Sequence, residues 1–268
     1  MDMKAYRCFG RETDSGNLAL VFSGDGVEAL GQAERLALAQ QHHAPASVFV
    51  APSPDGVFTL DYYYPHARSV LCLHASLAAA AFLRGQFGAI PMALRTASGQ
   101  DLSLSQDGEA ILFRLQRQAM AASAPSVDEV AAWLGCEASG ILSMPVVASV
   151  GSPKLLVALK DQTVLAQLRP NLQGIVEWGK RAGVNGCYAY AALAEGVYTG
   201  RNFNHLDPGL EDAATGVAAG ALCAQLERDL TLRQGDGQGN PCELRAKFGG
   251  GWVEVGGMAR AAAMEAAP

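Results

Sequence analysis

The sequence contains few charged residues, and its charges form no clusters. Charged residues make up 17% of the 268 residues, and 20 basic against 26 acidic side chains give a formal net charge of −6. No run of Lys and Arg occurs anywhere in the chain. Nucleic acids and anionic membranes both need clustered positive charge, so the composition disfavours these partners.

Long hydrophobic runs and paired cysteines are also lacking. No apolar stretch approaches the roughly 18 residues that a membrane-spanning helix needs, and the first ten residues do not resemble an export signal. The six cysteines are scattered, without a CxxC pair or a zinc-like spacing. These absences predict a cytoplasmic protein with free thiols and no metal site.

The sequence does contain an internal repeat. GVFT at 56–59 returns as GVYT at 196–199, and HASLAAAAFL at 74–83 returns as AATGVAAGAL at 213–222. Further matches follow the same order with similar offsets: 15–22 with 150–159, and 94–99 with 232–237. The repeat predicts a duplicated unit, with a first half at 1–118, a linker at 119–129 and a second half at 130–268. A groove where the halves meet is the expected ligand site.

Each half shows the same order of predicted elements. A short apolar strand (18–22 or 154–159) precedes an amphipathic helix, which Pro170 interrupts in the second half. Two strands follow, then a helix made almost wholly of small residues, and then further strands with Gly-rich turns. Such a helix has no room for a solvated face. The predicted fold class is therefore α+β, with two pseudo-symmetric halves, each a curved, mostly antiparallel sheet or barrel around a central helix.

The starts of the two small-residue helices carry the candidate chemistry. His74 lies at one start and Asp212 at the other, and each aligns with an apolar residue in the opposite half. A helix N-terminus offers unpaired N–H groups to a carboxylate, and a His with a carboxylate can move a proton between two positions of a substrate. Plain structural roles compete with this interpretation, because Asp212 can simply cap its helix and Cys72 can simply be a buried thiol.

At these residues the chain resembles the phenazine-biosynthesis PhzF-like family. LEDAATGVAAGAL at 210–222 is similar to the family's E-D-P-A-T-G-S-A-A-G signature, and VLCLHASLAAA at 70–80 to its L-C-G-H-A-T-L-A-A-A signature. The resemblance implies a diaminopimelate-epimerase-like fold, a homodimer, and proton transfer without a cofactor. It implies His74 and Asp212 as catalytic residues. The implied substrate-binding residues are Gly16, Asn17, Ser47, Cys72, Leu73, Ala75, Ser76, Gly151, Ser152, Ala213, Ala214, Thr215 and Gly216.

The chain departs from the family pattern at the catalytic glutamate. The aligned stretch, 44–50, places Ala46 where the family has Glu. Leu73 stands where the family has Gly before the His, Ala213 where it has Pro after the Asp, and Asn240 where it has a late Arg. We therefore expect an isomerase or epimerase acting on a small carboxylate-bearing or amino-acid-like metabolite, but not the usual phenazine isomerase reaction. Two alternatives stay open: a catalytically altered or inactive ligand-binding or accessory protein, and an enzyme in which Cys72 replaces the glutamate.

Overall fold

The computed structural model describes residues 1–42, 44–91, 93–204 and 211–263. The strands, in chain order, are β1 (Asp2–Cys8), β2 (Asn17–Ser23), β3 (Ala46–Pro52), β4 (Phe58–Tyr64), β5 (Ala67–Ser69), β6 (Ala93–Thr96), β7 (Asp101–Asp107), β8 (Ala110–Gln116), β9 (Val146–Ala148), β10 (Lys154–Ala158), β11 (Cys187–Ala194), β12 (Val197–Phe203), β13 (Leu230–Gln234), β14 (Cys242–Phe248), β15 (Trp252–Gly257) and β16 (Ala259–Ala262). The α-helices are α1 (Gln32–Gln41), α2 (Leu73–Phe87), α3 (Val127–Leu134), α4 (Gln162–Gln167), α5 (Leu172–Ala182) and α6 (Gly216–Leu226).

The chain divides into two units. The first unit contains Met1–Arg114 together with the C-terminal residues from Gly256 onward, and the second contains Leu115–Val255. The C-terminal residues return to the first unit because β16 pairs antiparallel with β1, with Cys8 opposite Ala259 and Ala5 opposite Ala262. The second unit therefore stops at Val255, whereas the sequence-based second half runs to residue 268.

The two units share one strand order, which agrees with the predicted pseudo-symmetry. The first unit runs β16-β1-β2-β3-β4-β6-β7-β8, with β5 paired to β4, and the second runs β9-β10-β11-β12-β13-β14-β15. In both, the second and third strands of the repeat are parallel (β2–β3 and β10–β11). The fourth strand is in turn parallel to the strand that follows the central helix (β4–β6 and β12–β13). Each parallel pair needs a crossover helix, and the helical segments supply it.

A buried helix of small residues lies against each sheet, as predicted. In α2 all residues from Ala75 to Leu83 are buried, and in α6 nearly all are. Small side chains allow the sheet to approach closely: a Cβ added at Gly220 of α6 would lie 2.7 Å from a methyl group of Val150. α2 packs on β1 to β4 and β16, and α6 packs on β9, β10 and β14.

The outer helices cover the opposite faces of the sheets. In the second unit Leu165, Leu168, Leu172 and Ile175 join one hydrophobic core with α3, β10 and β11. The predicted interruption at Pro170 is confirmed, since α4 ends at Gln167 and α5 begins at Leu172. Among the described residues, no helix combines the length and the apolar character needed to cross a bilayer.

Three local features of the structure were not evident from the sequence. Helix α3 begins at Val127, inside the segment interpreted as linker, because Ser126 and Glu129 form a capping box. The Ala-rich C-terminal segment contains strand β16, and residues 264–268 lie outside the described part. Helix α6 begins at Gly216 with Thr215 as its N-cap, so Asp212 is not the capping residue.

Candidate active site

The start of α2 brings Cys72 and His74 into contact. Cys72 is the N-cap residue and His74 the second residue of the helix. The Cys72 Sγ lies 3.4 Å from His74 Nδ1. The thiol of Cys8 donates a hydrogen bond of 3.1 Å to the carbonyl oxygen of His74, which ties the helix start to β1. A thiol and an imidazole in contact form a pair that can exchange a proton.

The surroundings of Cys72 favour its thiolate. Burial alone would raise the pKa of the Cys72 thiol, but the neighbouring His74 imidazole, the backbone N–H of Ala75 and the Tyr64 hydroxyl together bring this pKa below its usual value. The helix N-terminus adds a favourable partial charge. Cys72 is therefore chemically distinct from Cys187 and Cys223, whose thiol pKa values are raised to about 12 by burial.

Ser76, a predicted substrate-binding residue, uses its hydroxyl within the protein. It donates to the carbonyl oxygen of Cys72 at 2.9 Å and forms a second hydrogen bond of 2.7 Å with the Tyr62 hydroxyl. Tyr62 and Ser76 are both buried. These bonds fix the first turn of α2 on β4. Ser76 therefore holds the position of the helix start, and the neighbouring Leu73 and Ala75 are likewise buried.

Gly16 and Asn17 lie at the beginning of β2, beside the segment that carries Cys8. Gly16 has φ +108°, and a Cβ there would lie 2.6 Å from the Cys8 carbonyl oxygen. Because Cys8 also contacts His74, the structure brings Gly16, Cys8, Cys72 and His74 into one neighbourhood of the first unit. The sequence did not single out Cys8, which appeared there only as one of six scattered cysteines.

The start of α6 holds Asp212 in a network of polar groups. The Thr215 hydroxyl donates to Asp212 Oδ2 at 2.7 Å, and the N–H of Ala214 approaches Oδ1 at 3.4 Å. Ala213 and Ala214 are buried, and Gly216 is the first helical residue. Asp212 thus has its carboxylate oriented by the residues that follow it.

Gln234 is a part of this network that sequence reasoning missed. Its side-chain amide donates to the carbonyl oxygen of Asp212 and to Thr215 Oγ1, and its Oε1 accepts from the buried Tyr188 hydroxyl at 3.0 Å. Gln234 itself is 1% exposed. The segment 232–237 was recognised only as a match to 94–99 in the internal repeat, which gives no indication of the role of Gln234.

Gly151 and Ser152 precede β10 in the second unit. Gly151 has φ +138° with open space around its missing side chain. The Ser152 hydroxyl accepts from the Asn185 side-chain amide at 3.1 Å. These residues therefore lie next to the loop before β11. In the described residues, no cluster of three or more His, Cys, Asp or Glu side chains is arranged to hold a metal ion.

The comparisons with known proteins agree with this architecture. The family model described as "Phenazine biosynthesis-like protein" matches residues 6–253. This chain belongs to that family. An uncharacterized isomerase from Deinococcus radiodurans is 30% identical over 263 residues, covering 90% of this chain and 83% of the relative.

Solved structures of other proteins share the fold over nearly the full length. The phenazine biosynthesis protein of the PhzF family from Bacillus anthracis superimposes with a TM-score of 0.81 at 18% identity, covering 98% of both chains. A predicted epimerase from Pseudomonas aeruginosa gives 0.78 at 23% identity, covering 97% of this chain and 96% of the other. The resemblance inferred from the two helix-start motifs is confirmed.

Ala46, the residue expected to stand at the family's glutamate position, is the buried first residue of β3. Ala46 pairs with Ala19 of β2 and is 1% exposed. Phe49 packs in the hydrophobic core beside α1. Because side chains alternate between the two faces of a strand, Ser47 points to the same face as Phe49, and Ala46 points to the opposite face, which α2 covers. The Ser47 hydroxyl is fully buried and lacks a hydrogen-bond partner among the described residues. Ser47 therefore lies on the face of the sheet opposite to Ala46 and α2.

A cavity of about 700 Å³ in the second unit is lined by Glu211, which lies in the segment before α6. Glu211, which precedes Asp212, forms a bidentate ion pair with Arg201 at 2.8 and 3.0 Å in the wall of this cavity. Arg169 and Gln238 also line it. The ion pair holds in place the residue immediately before Asp212 in the sequence.

Proposed function

We propose that this protein is a cofactor-independent isomerase or epimerase that moves a proton on a small carboxylate-bearing metabolite. The observation that carries the proposal is the His74 imidazole at the start of a buried helix, in contact with a thiol whose pKa is lowered, in a chain of the phenazine biosynthesis-like family. A relative named as an isomerase supports the same reaction class.

His74 and Asp212 are the residues proposed to carry the chemistry. His74 acts as general base or acid, and Asp212 handles the second proton of the reaction. The N-terminal ends of α2 and α6 attract the substrate carboxylate in this proposal, because helix N-termini favour anions. Thr215 holds the Asp212 carboxylate in one orientation for this purpose.

The alanine at position 46 argues for a substrate other than that of the phenazine isomerase. A missing general acid–base costs about 10²–10⁴-fold in rate, and no side chain replaces the carboxylate at Ala46 itself.

The same alanine supports the second candidate function, an altered or inactive ligand-binding or accessory protein. Restoring the carboxylate with Ala46→Glu and Leu73→Gly separates the two. If the double variant isomerises dihydro-hydroxyanthranilate and the unmodified protein does not, the protein is an inactivated isomerase.

Cys72 is the side chain best placed to take over the proton transfer. Its contact with His74 Nδ1 and its lowered pKa favour a thiolate acting beside the imidazole. We therefore include Cys72 as the candidate replacement for the missing glutamate. Cys72→Ser should then abolish turnover, whereas Cys136→Ser, a half-buried thiol with a raised pKa, should not.

The proposal is tested by proton exchange in deuterated water with amino acids and dihydroaromatic acids as candidate substrates. We expect deuterium incorporation at a carbon adjacent to a carboxylate, and a loss of about 10²–10⁴-fold in the His74→Ala variant. His42→Ala, which replaces a histidine at the end of α1, serves as the control and should keep full activity. Absence of exchange with every candidate, or unchanged turnover in His74→Ala, would contradict the proposal.

A further inference from the structure

A chain of hydrogen bonds joins a buried tyrosine of β11 to the carboxylate of Asp212. The Tyr188 hydroxyl bonds to Gln234 Oε1 at 3.0 Å, and Gln234 Nε2 bonds to Thr215 Oγ1 at 3.1 Å. The Thr215 hydroxyl in turn reaches Asp212 Oδ2 at 2.7 Å. Tyr188, Gln234 and Thr215 are all buried. The chain therefore runs through the protein interior until it reaches Asp212.

The partners in this chain determine the direction of every hydrogen bond. The carbonyl oxygen of Asp212 can only accept, so the Gln234 Nε2 that contacts it is a donor, and Gln234 Oε1 faces Tyr188. Thr215 then accepts from Gln234, and its single hydroxyl proton is directed to Asp212 Oδ2. Burial raises the pKa of the Tyr188 hydroxyl well above its usual value, so Tyr188 stays protonated and remains a donor. Every donor in the chain therefore points toward Asp212.

The first unit holds the start of its central helix with a shorter arrangement. Tyr62 bonds to the Ser76 hydroxyl at 2.7 Å, and Ser76 donates to the carbonyl oxygen of Cys72 at 2.9 Å. Ser76 aligns with Thr215 in the internal repeat, at an offset of 139 residues. The hydroxyl of the first unit thus bonds to a backbone group, whereas that of the second bonds to the Asp212 carboxylate. A helix start in this fold does not need the longer chain.

Three positions of the second unit differ from the first unit in ways that build the longer chain. The repeat offsets of 138 to 140 residues align Tyr188, Gly200 and Gln234 with Val48, Leu60 and Thr96. The strand registers agree, because Gly200 pairs with Gln234 as Leu60 pairs with Thr96. A Cβ at Gly200 would collide with the Tyr188 hydroxyl, so the glycine makes room for that group. Thr96 instead accepts from the backbone N–H of Gln100 within its own turn. The shared fold does not require the three residues, and all of them serve the chain that ends on Asp212.

We propose that Gln234 and Tyr188 are positioning residues that direct the Thr215 hydroxyl proton to Asp212 and so fix the orientation of its carboxylate for proton transfer. The orientation rests on the hydrogen bonds, and its catalytic meaning rests on the proposed function. Without the Gln234 amide, the Thr215 hydroxyl can turn to another acceptor and the Asp212 carboxylate can rotate about its Cβ–Cγ bond. A displaced catalytic group costs up to about 10²-fold in rate.

Crystal structures of variants test the orientation without any substrate. Gln234→Glu keeps the shape of the side chain but, when ionised, only accepts hydrogen bonds, so we expect the Thr215 hydroxyl to turn toward residue 234 and the Asp212 carboxylate to rotate. Gln234→Met removes the amide without adding a charge and should also release the carboxylate. Tyr190→Phe, at a half-buried tyrosine of the same strand, is the matched control and should leave Asp212 unchanged. An unchanged Asp212 orientation in both Gln234 variants would overturn the inference.

Steady-state kinetics separates positioning from a merely structural role. Both Gln234 variants should lower kcat by about 10- to 100-fold with KM nearly unchanged, because substrate binding is kept and the reacting group is displaced. Thr215→Val should have the same effect, whereas Thr215→Ser, which keeps the hydroxyl, should retain most of the activity. Tyr188→Phe removes only the first donor and should lower kcat less, by about three- to tenfold. Tyr190→Phe should keep the kcat of the unmodified protein.

The outcomes distinguish this inference from the proposed function. An unchanged kcat in the folded Gln234→Met and Tyr188→Phe proteins would overturn the inference, since a purely structural network affects only stability. Tyr188→Phe preserves the shape of the side chain, so it provides this test even if the Gln234 variants fail to fold. If no substrate exchanges a proton but the Asp212 carboxylate rotates in the Gln234 variants, the proposed function fails and the orientation by Gln234 stands.

Discussion

At the scale of single residues, Gly16 shows how backbone geometry restricts the site. Its φ of +108° lies in a region that L side chains rarely adopt. A Cβ at this position would also meet the Cys8 carbonyl oxygen at 2.6 Å and the Gly10 nitrogen at 2.8 Å. Since Cys8 contacts the His74 carbonyl, any shift at Gly16 is transmitted to the start of α2.

Gly16→Ala should therefore lower the free energy of unfolding by more than its backbone strain alone. The strain of a left-handed alanine is about 1–2 kcal/mol, and the backbone clash adds to it. Gly26→Ala is the matched control, because Gly26 has φ +91° with no atom within 4 Å of the added Cβ. Urea unfolding of both variants gives the comparison, and equal losses would show that the clash is relieved without cost.

At the scale of elements, the start of α6 depends on one buried glutamine rather than on a local cap. Gln234, on β13, connects the Asp212 carbonyl, the Thr215 hydroxyl and the Tyr188 hydroxyl. The N-cap side chain of Thr215 itself makes no capping hydrogen bond to the helix backbone. The helix start is therefore fixed by a strand that follows α6 in the sequence.

Gln234→Leu should destabilise the protein by about 2–4 kcal/mol, because it leaves buried donors and acceptors without partners. Tyr188→Phe should cost less, and the double variant should lose less than the sum, since both residues share one hydrogen bond. Gln238→Leu, at an exposed glutamine that donates to the Glu211 carbonyl, is the control. Additive losses in urea unfolding would indicate that the two side chains act independently.

The elements also show what sequence patterns can and cannot reveal. Apolar runs and β-branched residues correctly predicted β2, β3, β4, β10, β11 and β12, because these strands carry their own local signal. Strand β16 was missed because its alanines and arginine have no strand propensity, and it forms through pairing with β1 at the other end of the chain. The proximity of Cys72 and His74 was predictable from their spacing in the sequence. The pKa of the thiol is lowered against the effect of burial, chiefly by the His74 imidazole, and the smaller contribution of Tyr64 comes from β4 and has no signal in the local sequence.

At the scale of the whole molecule, the first unit is completed by the end of the chain. β16 covers the outer edge of β1, and the N–H of Phe9 donates to the Met258 carbonyl oxygen at 2.7 Å. α2 also packs against β16. The C-terminal residues are therefore part of the fold of the unit that carries His74.

Truncation after Met258 should expose β1 and weaken the first unit. Amide hydrogen exchange should accelerate across β1, at residues 5–8 above all, because their ladder partners in β16 are removed. Strand β14 of the second unit provides an internal control and should keep its protection. Unchanged exchange in β1 would mean that β16 contributes nothing to the stability of this edge.

The repeat was sufficient to predict two similar units, but not how the chain is distributed between them. The strand orders of the two units match because the duplicated segments have the same sequence patterns. The pairing of β16 with β1 has no counterpart among the described strands of the second unit, so the internal repeat gives no indication of it. Likewise, Lys154 and Ala19 occupy equivalent buried positions of the two repeats, at an offset of 135 residues. The repeat itself gives no reason why one position carries a lysine and the other an alanine.

The pairing of β16 with β1 brings the first and the last strand of the described chain to the same edge of one sheet. In the antiparallel register Ala262 lies opposite Ala5. A circular permutant that links residue 263 to residue 1 and opens the chain near residue 119 would encode each unit as one continuous block of gene sequence. Expression of either block alone would then become a practical route to studying His74 and Asp212 apart from each other.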